Sequence, residues 1–138
     1  MEKATITTRE FLVEGGCNAC GLINCCTYTL HFTDSPDQTV ENMDEAALVT
    51  AIALKGGWRQ GTEPVGIGED AIYFQKDGEK IYFEEDNFKT TFKKGSTTIT
   101  CPKYKVHDRQ DLPAIFAKTN EVLTSLFQLP AYDFVMVD

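Results

Sequence analysis

The chain has 138 residues, 42% of them hydrophobic and 25% charged, with a formal net charge of −8. That balance fits one domain, 1–138, large enough to bury a core. It sets aside a membrane-spanning helix, because no apolar run nears the roughly 18 residues one needs, and the first residues lack the long apolar stretch of a secretory leader. The expectation is therefore a reducing, cytoplasmic setting. The acid is densest over 35–70, where seven acidic residues stand against two basic ones. Duplex nucleic acid repels such a surface.

Lys3 to Glu14 reads as a first strand, with Ile6 and Phe11-Leu12-Val13 as its buried part and Gly15-Gly16 as its end. The segment GCNACGLINCC leads into a second strand. There Cys26, Tyr28, Leu30 and Phe32 share the inward face, and Cys25, Thr27, Thr29 and His31 the outward one. Ser35-Pro36-Asp37 breaks that strand. Asn42 is the expected start of a helix: it can cap, and Glu45 stands three residues later as in a capping box. Asp44 and Glu45 suit the helix start, Lys55 its end, and Gly56-Gly57 the stop. Leu48, Ala51 and Ile52 make a core face. The opposite side, Ala46, Thr50 and Ala53, is small and nearly uncharged where a surface helix normally carries charge. Burial within the chain is the favoured explanation, and a partner contact the other.

Trp58 opens a short strand, followed by the loop GTEPVGIGED. Its Gly66-Ile67-Gly68-Glu69-Asp70-Ala71 has the form G-x-G-x-x-A, but a dinucleotide site needs that motif after a strand and at the start of a helix. Here it precedes a strand, and Glu69-Asp70 would repel phosphate, so the glycines read as a turn. Ala71 to Glu85 reads as a two-residue hairpin about Asp77-Gly78, which suits a type I′ turn. That turn pairs Lys76 with Glu79, Phe74 with Ile81 and Ile72 with Phe83, all on one face. Tyr73, Gln75, Lys80 and Tyr82 fall on the other. A second hairpin spans Phe88 to Cys101. With Lys94-Gly95 as its loop, Phe92 faces Thr97, Thr90 faces Ile99 and Phe88 faces Cys101. Asp111 caps a second helix with Pro113 in its first turn. Ile115, Phe116, Thr119, Val122, Leu123 and Leu126 form its core stripe, and Leu129-Pro130 ends it. The final YDFVMVD reads as a strand buried on both faces. These elements predict an α+β domain in the order β-β-α-β-β-β-β-β-α-β, with an antiparallel-rich sheet of about six to eight strands and two helices packed on it.

Chemistry-bearing residues are few. Cys17-x-x-Cys20-Gly21 resembles the metal-binding knuckle of zinc ribbons and rubredoxin-like sites, in which the turn aims both thiolates at one ion. The resemblance implies zinc; the two further ligands would come from Cys25 or Cys26 next door or from Cys101 and His107, and the set chosen is Cys17, Cys20, Cys26 and Cys101. Free or buried thiols without any cofactor are the competing reading. A redox pair would need a helix directly after the motif, and none fits before Cys26. His31 and His107 have no serine or cysteine partner at a recognisable spacing, and no nucleophile elbow, P-loop or HExxH occurs. An enzyme is thus the less favoured class. The leading expectation is an acidic, non-enzymatic protein-binding domain that meets a basic partner, as compact acidic inhibitor or immunity proteins do. Its contact residues would be Glu41, Asp44, Glu45, Thr50, Trp58, Glu63, Glu69 and Asp70. They would form one negative patch beside the first helix, with Trp58, where exposed, as an anchor. One alternative is a structural subunit of a larger assembly, such as a virion or secretion complex, with the first helix as contact; another is a small zinc- or thiol-dependent protein using the Cys17-x-x-Cys20-Gly21 knuckle.

Overall fold

A computed structural model describes residues 1–14, 22–41, 43–102 and 111–137, and over 10–14 and 22–26 it describes the backbone. Its elements run β1 (Glu2–Glu14), β2 (Leu22–Phe32), β3 (Gln38–Val40), α1 (Glu45–Lys55), β4 (Arg59–Gly66), β5 (Glu69–Lys76), β6 (Glu79–Glu85), β7 (Lys89–Lys94), β8 (Thr97–Pro102), α2 (Leu112–Ser125) and β9 (Tyr132–Val137). The α+β class and the element order are those expected, with β3 added. The strands divide between two sheets, β3-β2-β1-β9 and the meander β4-β5-β6-β7-β8. No helix among the described residues is long and apolar enough to cross a membrane.

The division follows from how the helices are covered. On α1, Val49, Ile52 and Ala53 join a core cluster with Phe74, Ile81, Phe92 and Ile99 of the meander. Leu48 and Ala51 join a second cluster with Ile6 and Leu30 of the other sheet. On α2, Ile115 belongs to the second cluster and Val122, Leu123 and Leu126 to the first. Both helices thus pack between two sheets. The uncharged side of α1 is accordingly buried by the chain itself, Ala46 and Ala53 included.

The β5–β6 hairpin has the expected register, Lys76 with Glu79, Phe74 with Ile81 and Ile72 with Phe83. Asp77 and Gly78 both sit at positive φ, 51° and 81°, as a type I′ turn requires. The β7–β8 hairpin differs. Its loop is Gly95-Ser96, and Phe92 pairs with Ile99 and Thr90 with Cys101. Gly95 is at φ 58°, which matches a type II′ turn with glycine first; the expected loop would have needed Lys94 there. The shift is two residues, so the faces are kept and Thr90, Phe92, Ile99 and Cys101 remain buried. Phe88 falls outside the ladder and is 79% exposed. It lies in a turn where Asp86 accepts from the Phe88 and Lys89 N–H groups at 2.7 and 2.8 Å. β4 runs through the expected loop to Gly66, with a register shift between Pro64 and Gly66.

Helix ends also depart from expectation. Asp44, not Asn42, is the α1 cap, its Oδ1 accepting from the Ala47 N–H at 2.8 Å; Asn42 lies outside the described residues. Asp111 makes no side-chain cap bond. α2 stops before Leu129-Pro130: Gln128 turns left-handed at φ 53° and the Leu129 N–H returns to the Leu123 carbonyl. Two lysines of the meander satisfy helix C-termini: Lys76 donates to the Gly56 carbonyl at 2.7 Å and Lys94 to the Leu126 carbonyl at 3.0 Å. Lys55 stands at the end of α1 as expected, and its ammonium also bridges to Asp34 and Glu2. β9 pairs in parallel with β1 at the end of its sheet, and only Tyr132 is fully buried. It is a half-buried edge, not the doubly buried strand expected.

Candidate functional site

Alternation along the meander puts Glu63, Ala71, Tyr73, Lys80, Tyr82 and Lys93 on the face away from the helices. Tyr73 lies across Gly61, its cross-strand partner; a Cβ there would come within 2.9 Å of the ring, so β4 needs glycine at that point. Tyr73 and Tyr82 meet edge-on at 6.2 Å between centroids. The Lys80 ammonium sits 4.4 Å over the Tyr73 ring and 3.2 Å from Glu63 Oε2. The Tyr82 hydroxyl donates to Glu63 Oε1 at 2.7 Å. That hydrogen bond first, and Lys80 second, hold the Glu63 carboxyl below the ordinary carboxylate range. The same bond holds the Tyr82 phenol proton more tightly and raises its pKa.

A groove of about 1050 Å³ opens beside these residues and takes its lining from both faces of the sheet, Glu63, Tyr82, Glu84 and Lys93 from the outward one and Ile72, Phe83 and, by register, Asp70 and Glu85 from the other. Glu63, Glu69, Asp70, Glu84 and Glu85 line it, with Lys93 as the basic residue among them and Val65, Ile72, Tyr82 and Phe83 as apolar or aromatic wall. Val65, near the end of β4, and Ile67, in the β4–β5 turn, are exposed. The groove can attract a cation and give its apolar stem or backbone a surface to lie on.

Of the expected contact residues, Glu63, Glu69 and Asp70 come together here. The others do not. Glu41 is an exposed residue after β3. Asp44 is spent on its cap, and Thr50 is half-buried on α1. Trp58 is 4% exposed, edge-on to Phe127 at 5.0 Å, so it is a core residue and the exposure an anchor needs is missing. Glu45 is 2% exposed and its Oε1 has no hydrogen-bond partner among the described residues. Burial first, with the Asp44 charge adding to it, pushes its pKa to about 7 against the pull of its own backbone N–H and Lys118. Glu45 and Trp58 thus offer no surface to a patch joining the start of α1 to the β4–β5 turn. Glu84 and Glu85 were not expected in it. The β5–β6 register, carried two residues beyond Ile72–Phe83, sets Asp70 toward Glu85 and was the available signal.

Cys17 and Cys20 lie outside the described residues, as does His107, and the Cys26 side chain with them. Cys101 is buried in the main core cluster, where burial, then the charge of Glu45, pushes its thiol up to about 12. Among the described residues no cluster of three or more histidine, cysteine, aspartate or glutamate side chains suited to a metal ion occurs.

The chain belongs to the family DUF4809, a domain of unknown function, whose model matches residues 1–136. No curated protein and no solved structure matches it.

Proposed function

We propose that the domain is a protein-binding module whose acidic groove, lined from both faces of the β4–β8 sheet, receives a basic stretch of a partner protein. The observation that carries this reading is the groove's lining: five carboxylates against Lys93, around an apolar wall. Such charge steers association and selects partners, while Phe83 and Tyr82 supply contact area. The alternative, assembly through α1, would draw on Ala47, Thr50 and Leu54, since Ala46, Val49 and Ala53 are buried within the chain.

The test uses a fluorescent deca-lysine peptide as probe. It binds the wild-type chain with an affinity that falls as salt rises, and Glu69→Lys/Asp70→Lys weakens it at least about tenfold, a loss on the order of 1.4 kcal/mol. Glu41→Lys, exposed and outside the groove, changes it far less. Equal weakening by both variants would mean a response to net charge alone and would overturn the groove as the binding site.

A further inference from the structure

On the outward face of the other sheet, Thr7, His31 and Asp37 form one chain of hydrogen bonds. Thr7 Oγ1 lies 2.8 Å from His31 Nε2, and His31 Nδ1 lies 2.9 Å from Asp37 Oδ2. An ionised carboxylate only accepts, so in the neutral imidazole Nδ1 carries the proton, Nε2 is the acceptor, and the Thr7 hydroxyl donates to it. Thr7 and His31 are 24 residues apart in sequence. They meet because β1–β2 pairing sets Thr5 opposite His31 and Thr7 opposite Thr29, which makes Thr7 and His31 diagonal neighbours on one face. The break at Ser35-Pro36 then returns Asp37 to the ring ahead of β3.

A hydroxyl, an imidazole and a carboxylate in this order are the parts of an activated nucleophile, recognised by geometry and not by position in the chain. The surroundings supply two more parts. Thr29, directly across from Thr7, brings a second hydroxyl to the same face. On the other flank β9 aligns Val137 with Thr7 and Val135 with Thr5, and Val137 is 44% exposed. The imidazole is 38% exposed, so a reactant can reach the Thr7–His31 pair from solvent.

We propose that Thr7, His31 and Asp37 form an acyl-transfer site that acts on activated esters of short apolar carboxylic acids. Thr7 Oγ1 attacks the ester carbonyl carbon while His31 Nε2 takes the hydroxyl proton, and Asp37 stabilises the imidazolium from Nδ1. The Thr29 hydroxyl donates to the oxyanion as it forms, and the acyl chain lies along Val135 and Val137. Collapse breaks the ester C–O bond, and the leaving oxygen takes the proton from His31, which leaves Thr7 acylated. Water then attacks the new ester and gives its proton to His31. Release of the carboxylic acid returns that proton to Thr7. No oxidant, reductant or further co-reactant enters.

The probe is p-nitrophenyl butyrate with the full chain. The expected result is nitrophenolate release above buffer and a butyryl adduct that peptide mass spectrometry maps to Thr7. Thr7→Val removes the adduct and slows release at least about tenfold, as loss of a positioned nucleophile and its base should; Thr7→Ser keeps both. His31→Gln matches Thr7→Val. Asp37 is a positioning residue, so Asp37→Asn lowers kcat with KM unchanged. Lys89→Ala, exposed on β7 in the other sheet and outside both sites, leaves all of this unaltered. Absence of release above buffer overturns the proposal. So does release that survives Thr7→Val but not His31→Gln, because the ring alone would then be the catalyst, and so does an adduct on any other residue.

Discussion

On the inward face of the β4–β8 sheet, aromatic rings pack on one another: Phe74 lies edge-on to Phe127 at 5.4 Å, and Phe92 to the same ring at 6.3 Å. On the outward face the rings are tyrosines, half-buried, and their neighbours are Glu63 and Lys80. The carboxylates differ in the same way. Glu45, inside, has lost water and gained no partner at Oε1, and its pKa rises to about 7. Glu63, outside, accepts from Tyr82 and Lys80, and its pKa falls. The same side chain is thus pushed in opposite directions by desolvation on one side of a single sheet and by hydrogen bonding on the other. The inward face is an apolar core and the outward one a polar, hydrogen-bonded surface.

The largest effect expected is on the apolar interior. Phe74→Ala should lower stability by about 3–5 kcal/mol, as for other buried aromatic truncations, read from the denaturant midpoint at constant slope. Tyr73→Ala, one residue along and facing outward, should cost clearly less. Equal losses would erase the distinction between the faces.

Next comes Glu45. Its folded pKa, about 7, stands above its ordinary 4.5. The folded chain therefore holds this proton more tightly than the unfolded one, and the stability linked to it is complete below about 4.5 and lost as pH rises through about 7. The gap corresponds to about 3 kcal/mol. Glu45→Gln keeps the shape and removes the charge, so above pH 7 the variant should be the more stable chain, by up to that amount, and its stability should vary less between pH 5 and 8. Thermal melts of both chains across that range check this. Parallel curves would mean that water or Lys118 already satisfies the carboxylate.

How much of this was legible in the sequence depended on whether a local rule fixed the geometry. Asp77-Gly78 allows one turn, so its hairpin register, its core face and the outward tyrosines could all be read. Lys94-Gly95-Ser96 allows two placements of the glycine, and steric preference at positive φ decided for the one that spares a lysine. The split into two sheets was not legible, because the chain after α1 begins a separate meander and β9 returns to pair in parallel with β1 from the far end of the chain, neither of which a local signal encodes. The acidic groove was half legible. Glu69 and Asp70 stood out by charge, whereas Glu84 and Glu85 reach them only through the hairpin register. Trp58 and Glu45 misled for one reason, that residue type suggests a surface role and burial is a tertiary property. The Thr7–His31 contact was hidden because it joins two strands and uses threonine, not serine or cysteine.

The smallest effect expected is at Glu63, and its sign is opposite to that of Glu45. The Tyr82 hydroxyl is the first cause of the lowered Glu63 pKa, so Tyr82→Phe should let it rise toward the ordinary carboxylate range, with Lys80 alone holding it down. A carboxyl-carbon NMR titration reads this directly. Because the folded pKa is depressed, whatever stability Glu63 contributes is present at neutral pH and disappears on acidification through that pKa. Tyr82→Phe should accordingly flatten the acid side of the stability curve, where Glu45→Gln flattens the neutral side. At an exposed site the change in stability is small and screened by salt, which makes the titration the decisive measurement. If Glu63 titrates identically in both chains, Tyr82 is not bonded to it in solution, and the outward face is then held by Lys80 and the tyrosine rings alone.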